Sequence, residues 1–309
     1  MKVSVIIPVY NAEKYVTEAV ESALMQPETG EVLLIEDKSP DNSLAVCQQL
    51  ASKYDKVKLF QHPDQGNHGA GATRNVGLLN AKFPYICFLD ADDYMLANRF
   101  KAAVNTFEQY PDAEGVYDAI GIDFDNEAAK TKWFETRNFS TTTIHKIIPP
   151  EEVFYCQTVG RHGYFHTDGI VLKKGVFDKV GLFDTELKLS QDNHMFVRIS
   201  ALCKLYPGEI ERPVANRRVH DENRILNNID KVNYYHKLLW QKLFFWCVDR
   251  NIKDEYKLLI TRQYYKHYIS NDGLRLLFLI NHIAFKIVWK FYYLRIKIRL
   301  NKVIRPSIL

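Results

Sequence analysis

Val3-Ser4-Val5-Ile6-Ile7-Pro8-Val9-Tyr10-Asn11 holds a continuous apolar and β-branched run, Val3 to Ile7, closed by a proline. A run that is apolar at nearly every position, and does not alternate with polar residues, suits a strand buried on both faces of a sheet. Such strands occur where helices cover both faces, and this requires strand and helix to alternate along the chain. The residues that follow keep to that order. Asn11 can cap a helix whose apolar positions Val16, Ala19, Val20, Ala23 and Leu24 recur at helical spacing. Val32 to Ile35 reads as a second strand, Asp41 or Asn42 opens a second helix carrying Leu44, Val46 and Leu50, and Val57 to Phe60 makes a third strand. A glycine-rich turn from Gly66 to Gly71 starts a helix to about Ala81, Tyr85 to Leu89 is a fourth strand, and Arg99 to Tyr110 is another helix. The alternation predicts an α/β fold whose sheet is mostly parallel, flanked by helices and joined by right-handed crossovers.

Ligands of open parallel sheets bind beyond the carboxyl ends of the strands. After strands one, two and four come Pro8-Val9-Tyr10-Asn11, Asp37-Lys38-Ser39-Pro40-Asp41 and Asp90-Ala91-Asp92-Asp93, which the topology gathers at one end of the sheet. Asp90, Asp92 and Asp93 are three carboxylates in four positions and repel one another. They are most easily tolerated around a hard divalent cation that bridges to phosphate oxygens, although turn formation or helix capping would account for one of them. Gly69-Ala70-Gly71-Ala72-Thr73-Arg74 superficially matches a dinucleotide fingerprint, but Arg74 stands where the third glycine belongs and the block does not follow the first strand, which argues against a nicotinamide site.

Beyond Asp112 the pattern weakens to short strand-like pieces, Gly115 to Tyr117 and Thr141 to Ile144. A turn at Val176 to Phe183 and an amphipathic helix from Asn193 to Leu202 follow. After Asn228 the chain reads as helical and aromatic, with helices over Tyr234 to Val248, Tyr256 to Ser270 and Leu274 to about Arg299. The polar stretch Asp221 to Asp230 marks the boundary between a domain of residues 1–225 and a helical region of residues 226–309.

Four blocks in the first 93 residues carry a resemblance: Val5 to Asn11, Leu34 to Asp41, Asn67 to Gly77, and Phe88-Leu89-Asp90-Ala91-Asp92-Asp93. Their order and spacing resemble the family 2 glycosyltransferases, inverting enzymes with the GT-A fold, of the kind that build bacterial surface glycans. Val180-Gly181-Leu182-Phe183-Asp184 through Ser190-Gln191-Asp192, and Arg217-Arg218-Val219-His220, extend the resemblance to about residue 220. The resemblance implies a donor site made by Pro8, Val9, Tyr10, Asn11, Asp37, Gly69, Arg74, Asp90, Ala91 and Asp92. Within it Pro8 and Tyr10 would lie under the base, and Asp37 would accept from a uracil imide N–H. Asp37 read locally is an Asx-turn residue, and Arg74 suits a diphosphate, the acidic cluster or a solvent-facing position. The resemblance also implies Asp92, with Asp90 and His220, as holders of Mn²⁺ or Mg²⁺, and Asp192 as the catalytic base. Gln191 departs from the family, which usually carries an acidic pair there. Read locally, Asp192 is a helix N-cap and His220 a surface histidine beside two arginines.

At 309 residues, with 47% hydrophobic and 25% charged residues, the composition is that of a folded globular protein and excludes a disordered chain. The five cysteines are scattered without a C-x-x-C pair, which argues against a disulfide framework or zinc cluster and for a reducing, cytoplasmic setting. The apolar run at the N-terminus is too short for a signal peptide, and no stretch approaches the ~18 apolar residues of a spanning helix. The net charge of +4 conceals an asymmetry: Gly273 to Leu309 carries eight basic residues and no acidic one, so the preceding residues are net acidic. Arg275, His282, Lys286, Lys290 and Lys297 share one helical face among apolar and aromatic residues including Trp289. That suits a peripheral helix at the anionic inner face of the cell membrane, or an apolar face packed on the body or on a second protomer in a homo-oligomer. Nucleic acid is excluded as a partner by the acidic body and the absence of a recognisable module.

Together these readings give a metal-dependent, inverting glycosyltransferase that moves a sugar from a nucleotide diphosphate, UDP above all, to a hydroxyl of a glycan or lipid-linked glycan. A sugar-1-phosphate nucleotidyltransferase would carry a glycine-rich, basic phosphate loop after strand one, which Pro8-Val9-Tyr10-Asn11 is not. A non-catalytic nucleotide-binding scaffold would keep Asp37 and Asp92 and use Asp192 as a cap only.

Overall fold

The computed structural model of the protein describes residues 1–136, 139–220, 229–248, 250 and 252–268. Strand and helix alternate from the start: β1 (Val3–Val9), α1 (Val16–Leu24), β2 (Thr29–Glu36), α2 (Ser43–Lys53), β3 (Val57–Gln61), α3 (Ala70–Asn80) and β4 (Tyr85–Phe88). The middle of the chain adds β5 (Tyr94–Met95), α4 (Lys101–Gln109), β6 (Gly115–Tyr117), β7 (Ile120–Phe124), α5 (Glu127–Thr136), β8 (Thr141–Thr142) and α6 (Pro150–Val159). Then come β9 (Ile170–Lys173), α7 (Val176–Val180), α8 (Gln191–Leu202), β10 (Leu205–Pro207), β11 (Ala215–Val219), α9 (Ile229–Val248) and α10 (Asp254–Tyr268).

A seven-stranded sheet runs in the order β10-β6-β9-β4-β1-β2-β3, parallel except for β9, which is antiparallel to both β4 and β6. β1 lies between β2 and β4, pairing Ile6 with Leu33 and with Phe88. Its residues divide between two cores. Val3, Val5, Ile7 and Val9 face Val16, Ala19, Val20 and Ala23 of α1 and Phe100, Ala103 and Phe107 around α4. Ile6 faces the other way, with Leu33, Ile35, Ile86 and Phe88, toward Leu78 of α3 and Met195, Phe196 and Ile199 of α8. This two-sided burial is the reason the opening run does not alternate with polar residues. A second sheet, β5-β11-β7-β8, stands on the chain that follows β4.

Two readings of the helix starts need correction. Asn11 does not cap α1: it adopts a left-handed conformation with φ 54°, and the helix begins at Val16. The donors before α1 are met instead from the loop after β2. Ser39 Oγ accepts the Asn11 N–H (3.2 Å), Ser43 Oγ accepts the Ala12 N–H (2.9 Å) and the Asp41 carboxylate accepts the Glu13 N–H (2.9 Å). Likewise Asp192 lies in the first turn of α8, and Ser190, left-handed at φ 60°, is the residue that precedes the helix.

Close helix-to-sheet approach depends on Gly77, where a Cβ would stand 2.4 Å from Cγ2 of Ile6. Gly77→Ala is expected to lower stability by about 1–3 kcal/mol in chemical denaturation, because a methyl group there overpacks α3 on β1. The sheet also encloses a charge pair. Arg99 and Asp118 are fully buried, with Nη1 to Oδ2 at 3.1 Å, and Nη2 donates to Cys87 Sγ (3.2 Å) and to the Ile170 carbonyl (3.4 Å). Burial pushes the Asp118 carboxyl up to about 6 in spite of Arg99. Arg99→Met should cost about 3–5 kcal/mol by stranding that carboxylate, and adding Asp118→Leu should restore part of the loss. No recovery in the double variant, measured by urea titration, would contradict a charge-pairing role.

Two compact units are distinguished, Met1–Leu239 and Trp240–Leu309. Within the second, Trp240 stacks on His267 and Phe244 on Tyr264, with Leu243 and Ile260 buried. Most of the polar boundary stretch, residues 221–228, and the basic helix expected from Leu274 lie outside the described residues. Among the described residues no helix is long and apolar enough to cross a membrane.

Candidate functional site

Because β1, β2 and β4 are parallel neighbours, the segments that leave them meet at one edge of the sheet. Backbone strain concentrates there. Of the five non-glycine residues with left-handed φ among the described residues, Asn11 follows β1, Lys38 follows β2, Gln65 precedes the glycine-rich turn and Ser190 precedes α8, while His162 lies apart. Residues held in such conformations persist where the surroundings fix them, commonly at ligand sites. Pro8 is half-buried, Val9 buried, and Tyr10 and Asn11 exposed.

Asp37 is buried, and its two carboxylate oxygens accept the backbone N–H groups of His68 (2.7 Å) and Gly69 (2.8 Å). Its own carbonyl accepts from Asn67 Nδ2 (2.7 Å). The carboxylate thus clamps the glycine-rich turn to the end of β2, a longer-range duty than an Asx turn. Each oxygen keeps a second lone pair for a further donor. His62 Nε2 lies 3.4 Å from the same carboxylate and 3.3 Å from Thr73 Oγ1. Gly69 itself has φ 84°, and Lys188 Nζ donates to the His68 carbonyl (2.7 Å). A Cβ on Gly71 would stand 3.2 Å from Cγ of Gln191, so the starts of α3 and α8 are in contact. Asp192, one residue on in the first turn of α8, thus stands next to the residue that meets the glycine-rich turn; it is half-buried, with Oδ1 accepting the Asn193 N–H (2.8 Å).

The acidic turn after β4 separates its carboxylates. Asp90 accepts from Arg74 Nη2 (2.5 Å); although burial disfavours its charge, Arg74 foremost holds it below the usual carboxylate range. Arg74 is itself buried, with Nε and Nη1 unpartnered among the described residues, and so is not a solvent-facing residue. Ala91 is buried under the turn. Asp92 Oδ2 meets His220 Nε2 at 3.1 Å, and the His220 ring stacks on Tyr15 at 5.1 Å, so His220 is not a surface histidine.

Asp93 points inward, where Oδ1 accepts the Arg218 N–H (2.8 Å) and ties the turn to β11. Beneath it Asp168 Oδ1 accepts the Asp90 N–H (3.0 Å). Burial, then repulsion from Asp168, raises Asp93 well above the usual range, and burial, then repulsion from Asp90, raises Asp168 to about 7. His166 Nδ1 accepts the Asp168 N–H (3.3 Å), and burial, then the nearby Arg217, push its imidazole down to about 3. The ring is therefore neutral, with its proton on Nε2. Sequence reasoning placed neither His166 nor Asp168 at the site. They reach it because β9 is antiparallel, which brings the segment before that strand, and not the one after it, to the carboxyl edge of its neighbours.

The donor sets test differently for a divalent cation. Two ligands at right angles on Mg²⁺ or Mn²⁺, each about 2.1 Å away, stand about 3 Å apart. The Asp92–His220 separation of 3.1 Å and their O,N chemistry fit this. Asp90 is engaged by Arg74 and can join only by sharing its other oxygen. Ligand atoms of Asp93, His166 and Asp168 also converge within 4.8 Å. There one oxygen of each carboxylate accepts an amide, from Arg218 and from Asp90, while Oδ2 of Asp168 is buried without a hydrogen-bond partner among the described residues.

Residues 4–166 match the family profile of Glycosyl transferase family 2. The chain is 28% identical over 234 residues to the minor teichoic acid biosynthesis protein GgaB of Bacillus subtilis (strain 168), which covers 74% of this chain and 24% of that protein. It is 39% identical over 98 residues to the poly(ribitol-phosphate) beta-glucosyltransferase of Bacillus spizizenii, 31% of this chain and 15% of that one. The chain thus spans a quarter or less of either relative. Among solved structures, S. aureus TarS 1-349 in complex with UDP-GlcNAc superposes with a TM-score of 0.64 at 18% identity, over 93% of this chain and 78% of that one. At this identity the likeness is one of fold.

Proposed function

The chain belongs to family 2 of the glycosyltransferases and has their GT-A fold, and from this premise we propose that it transfers a sugar from UDP to a hydroxyl of a surface glycan, with inversion. The observation that carries the reading is the convergence at one sheet edge of the clamped Asp37, the Asp92–His220 pair and Asp192. Asp37 presents its remaining lone pairs to the imide N–H of a uracil lying over Pro8 and Tyr10, a contact that cytosine, lacking that N–H, cannot make. Asp92 and His220, aided by Asp90, would hold Mn²⁺ or Mg²⁺, which when bound neutralises charge on the diphosphate leaving group. Arg74 fixes Asp90 and keeps two buried donors at the turn. Asp192 accepts the proton of the attacking hydroxyl as that oxygen displaces UDP in one step. The names of the relatives, which refer to teichoic acid and poly(ribitol phosphate), support a surface-polymer acceptor.

Calorimetric titration with UDP, CDP and GDP in the presence of Mn²⁺ tests this. UDP should bind at least ~10-fold more tightly than CDP, and EDTA should weaken UDP binding. Equal affinity for UDP and CDP would contradict the role given to Asp37.

The reading places the enzyme at the cytoplasmic face of the membrane, on the strength of the eight basic residues after Gly273. Replacing Lys286, Lys290 and Lys297 with Gln should weaken co-sedimentation with anionic vesicles, and high salt should weaken it in the wild type. Wild-type protein that ignores such vesicles at every ionic strength would contradict membrane association.

A further inference from the structure

Arg217 differs from the other arginine of the second sheet. Its neighbour in β11, Arg218, is paired with Glu18 (2.7 Å) and lies over Tyr15 and Tyr94. Arg217 is half-buried on the opposite side of the strand, and among the described residues its guanidinium has no carboxylate or carbonyl partner. It rests instead on Trp133 of α5, 5.4 Å from the ring centroid. It is also close enough to Asp90 and His166 to bias both toward loss of a proton. Asp90 is thus approached by Arg74 from α3 of the main sheet and by Arg217 from the second sheet.

Around Trp133 lie further rings. Phe139 packs edge-on against it at 5.6 Å, Phe124 lies at 6.4 Å, and Phe134 flanks Phe124 at 5.8 Å. Trp133 is 2% exposed, yet Phe134 and Phe139 are 44% and 41% exposed, so the cluster has a dry base and an open aromatic face. An uncommitted guanidinium held over an indole offers a fork of N–H donors matched to a phosphate. Exposed rings beside it suit the C–H faces of a polyol or sugar.

We propose that Arg217, with Phe134 and Phe139, forms an acceptor subsite for a phosphate-bearing glycan or polyol chain. The proposal rests on the glycosyltransfer reading and adds to it the chemistry of the acceptor. The phosphate next to the reacting unit is held by Arg217 at the edge of the Asp90 turn, while carbons of the chain lie against Phe134 and Phe139. The donor diphosphate, the other phosphate within reach of such a cation, is assigned to the Asp92 and His220 side of the turn.

Calorimetry on the full chain with three probes tests this: a synthetic ribitol phosphate hexamer, the uncharged sugar oligomer maltohexaose, and UDP with Mn²⁺. Wild-type protein should bind the phosphate hexamer more tightly than maltohexaose. Arg217→Gln should weaken the hexamer by about tenfold and flatten its salt dependence, Arg217→Lys should lose less, and UDP affinity should stay within about twofold. Phe134→Ala should weaken the hexamer with its salt dependence intact. The proposal is overturned if Arg217→Gln leaves hexamer affinity unchanged, or if UDP affinity falls in parallel, which would assign the guanidinium to the donor. Wild-type protein that binds UDP but not the hexamer also overturns it. Failure to bind UDP at all counts against the glycosyltransfer reading on which it rests.

Discussion

Replacing Asp192 with Asn is expected to lower sugar transfer by at least ~100-fold while leaving UDP affinity nearly unchanged. The substitution keeps the side chain's shape and its Oδ1 acceptor for the Asn193 N–H. What it removes is a carboxylate able to take a proton. Because Ser190 precedes the helix and Asp192 lies within its first turn, capping does not depend on Asp192, and the melting temperature should not move. The contact between Gln191 and the start of α3 keeps Asp192 at the crevice in the variant. Turnover assays with parallel calorimetry check this. Near-normal turnover would mean that another group takes the proton, or that the chain is a nucleotide-binding scaffold.

Asp92→Asn is expected to abolish the dependence of UDP binding on Mn²⁺ and to lower transfer by about 100-fold or more. The fold should survive, because the Asp92 carboxylate is a third exposed and lies beside the His220 ring at the sheet edge, outside the core. Asp93→Asn is a contrasting control. Asp93 is buried and holds the Arg218 amide under the turn, so its loss should lower stability before it alters the metal response. Strong Mn²⁺ dependence persisting in Asp92→Asn would remove Asp92 from the cation site.

The parallel half of the main sheet was legible in the sequence because strands buried on both faces appear as unbroken apolar runs. β1, β2, β3 and β4 differ from the expected ranges only at their ends. Runs of this kind also fix where each strand ends, so the sequence itself gathers their carboxyl-end loops at one edge. The middle of the chain was legible only in pieces: the strand-like stretches at Gly115 to Tyr117 and Thr141 to Ile144 and the helix from Asn193 coincide with β6, β8 and α8, whereas β5, two residues long, is too short for any period to register. α6 did carry signals, Pro150 at its first position and a left-handed Gly160 at its end, and these were missed. His166 and Asp168 escaped because the rule that ligands lie beyond carboxyl ends applies to parallel strands, and β9 runs the other way. The Arg74–Asp90 and Asp92–His220 pairings join residues 16 and 128 positions apart; local pattern carries no information about contacts of that range, and it was the family resemblance that grouped His220 with Asp92 and allowed the acidic cluster as a partner for Arg74.

The most direct test of the central claim is the stereochemistry of transfer. Proton NMR of the glycoside formed from an α-linked UDP-sugar, with a phosphate-bearing polyol as acceptor, reads the configuration at the transferred anomeric carbon. One-step displacement, with Asp192 taking the proton as the hydroxyl attacks, yields a β-linked product with a large diaxial coupling at that carbon. An α-linked product, with configuration retained, would contradict it.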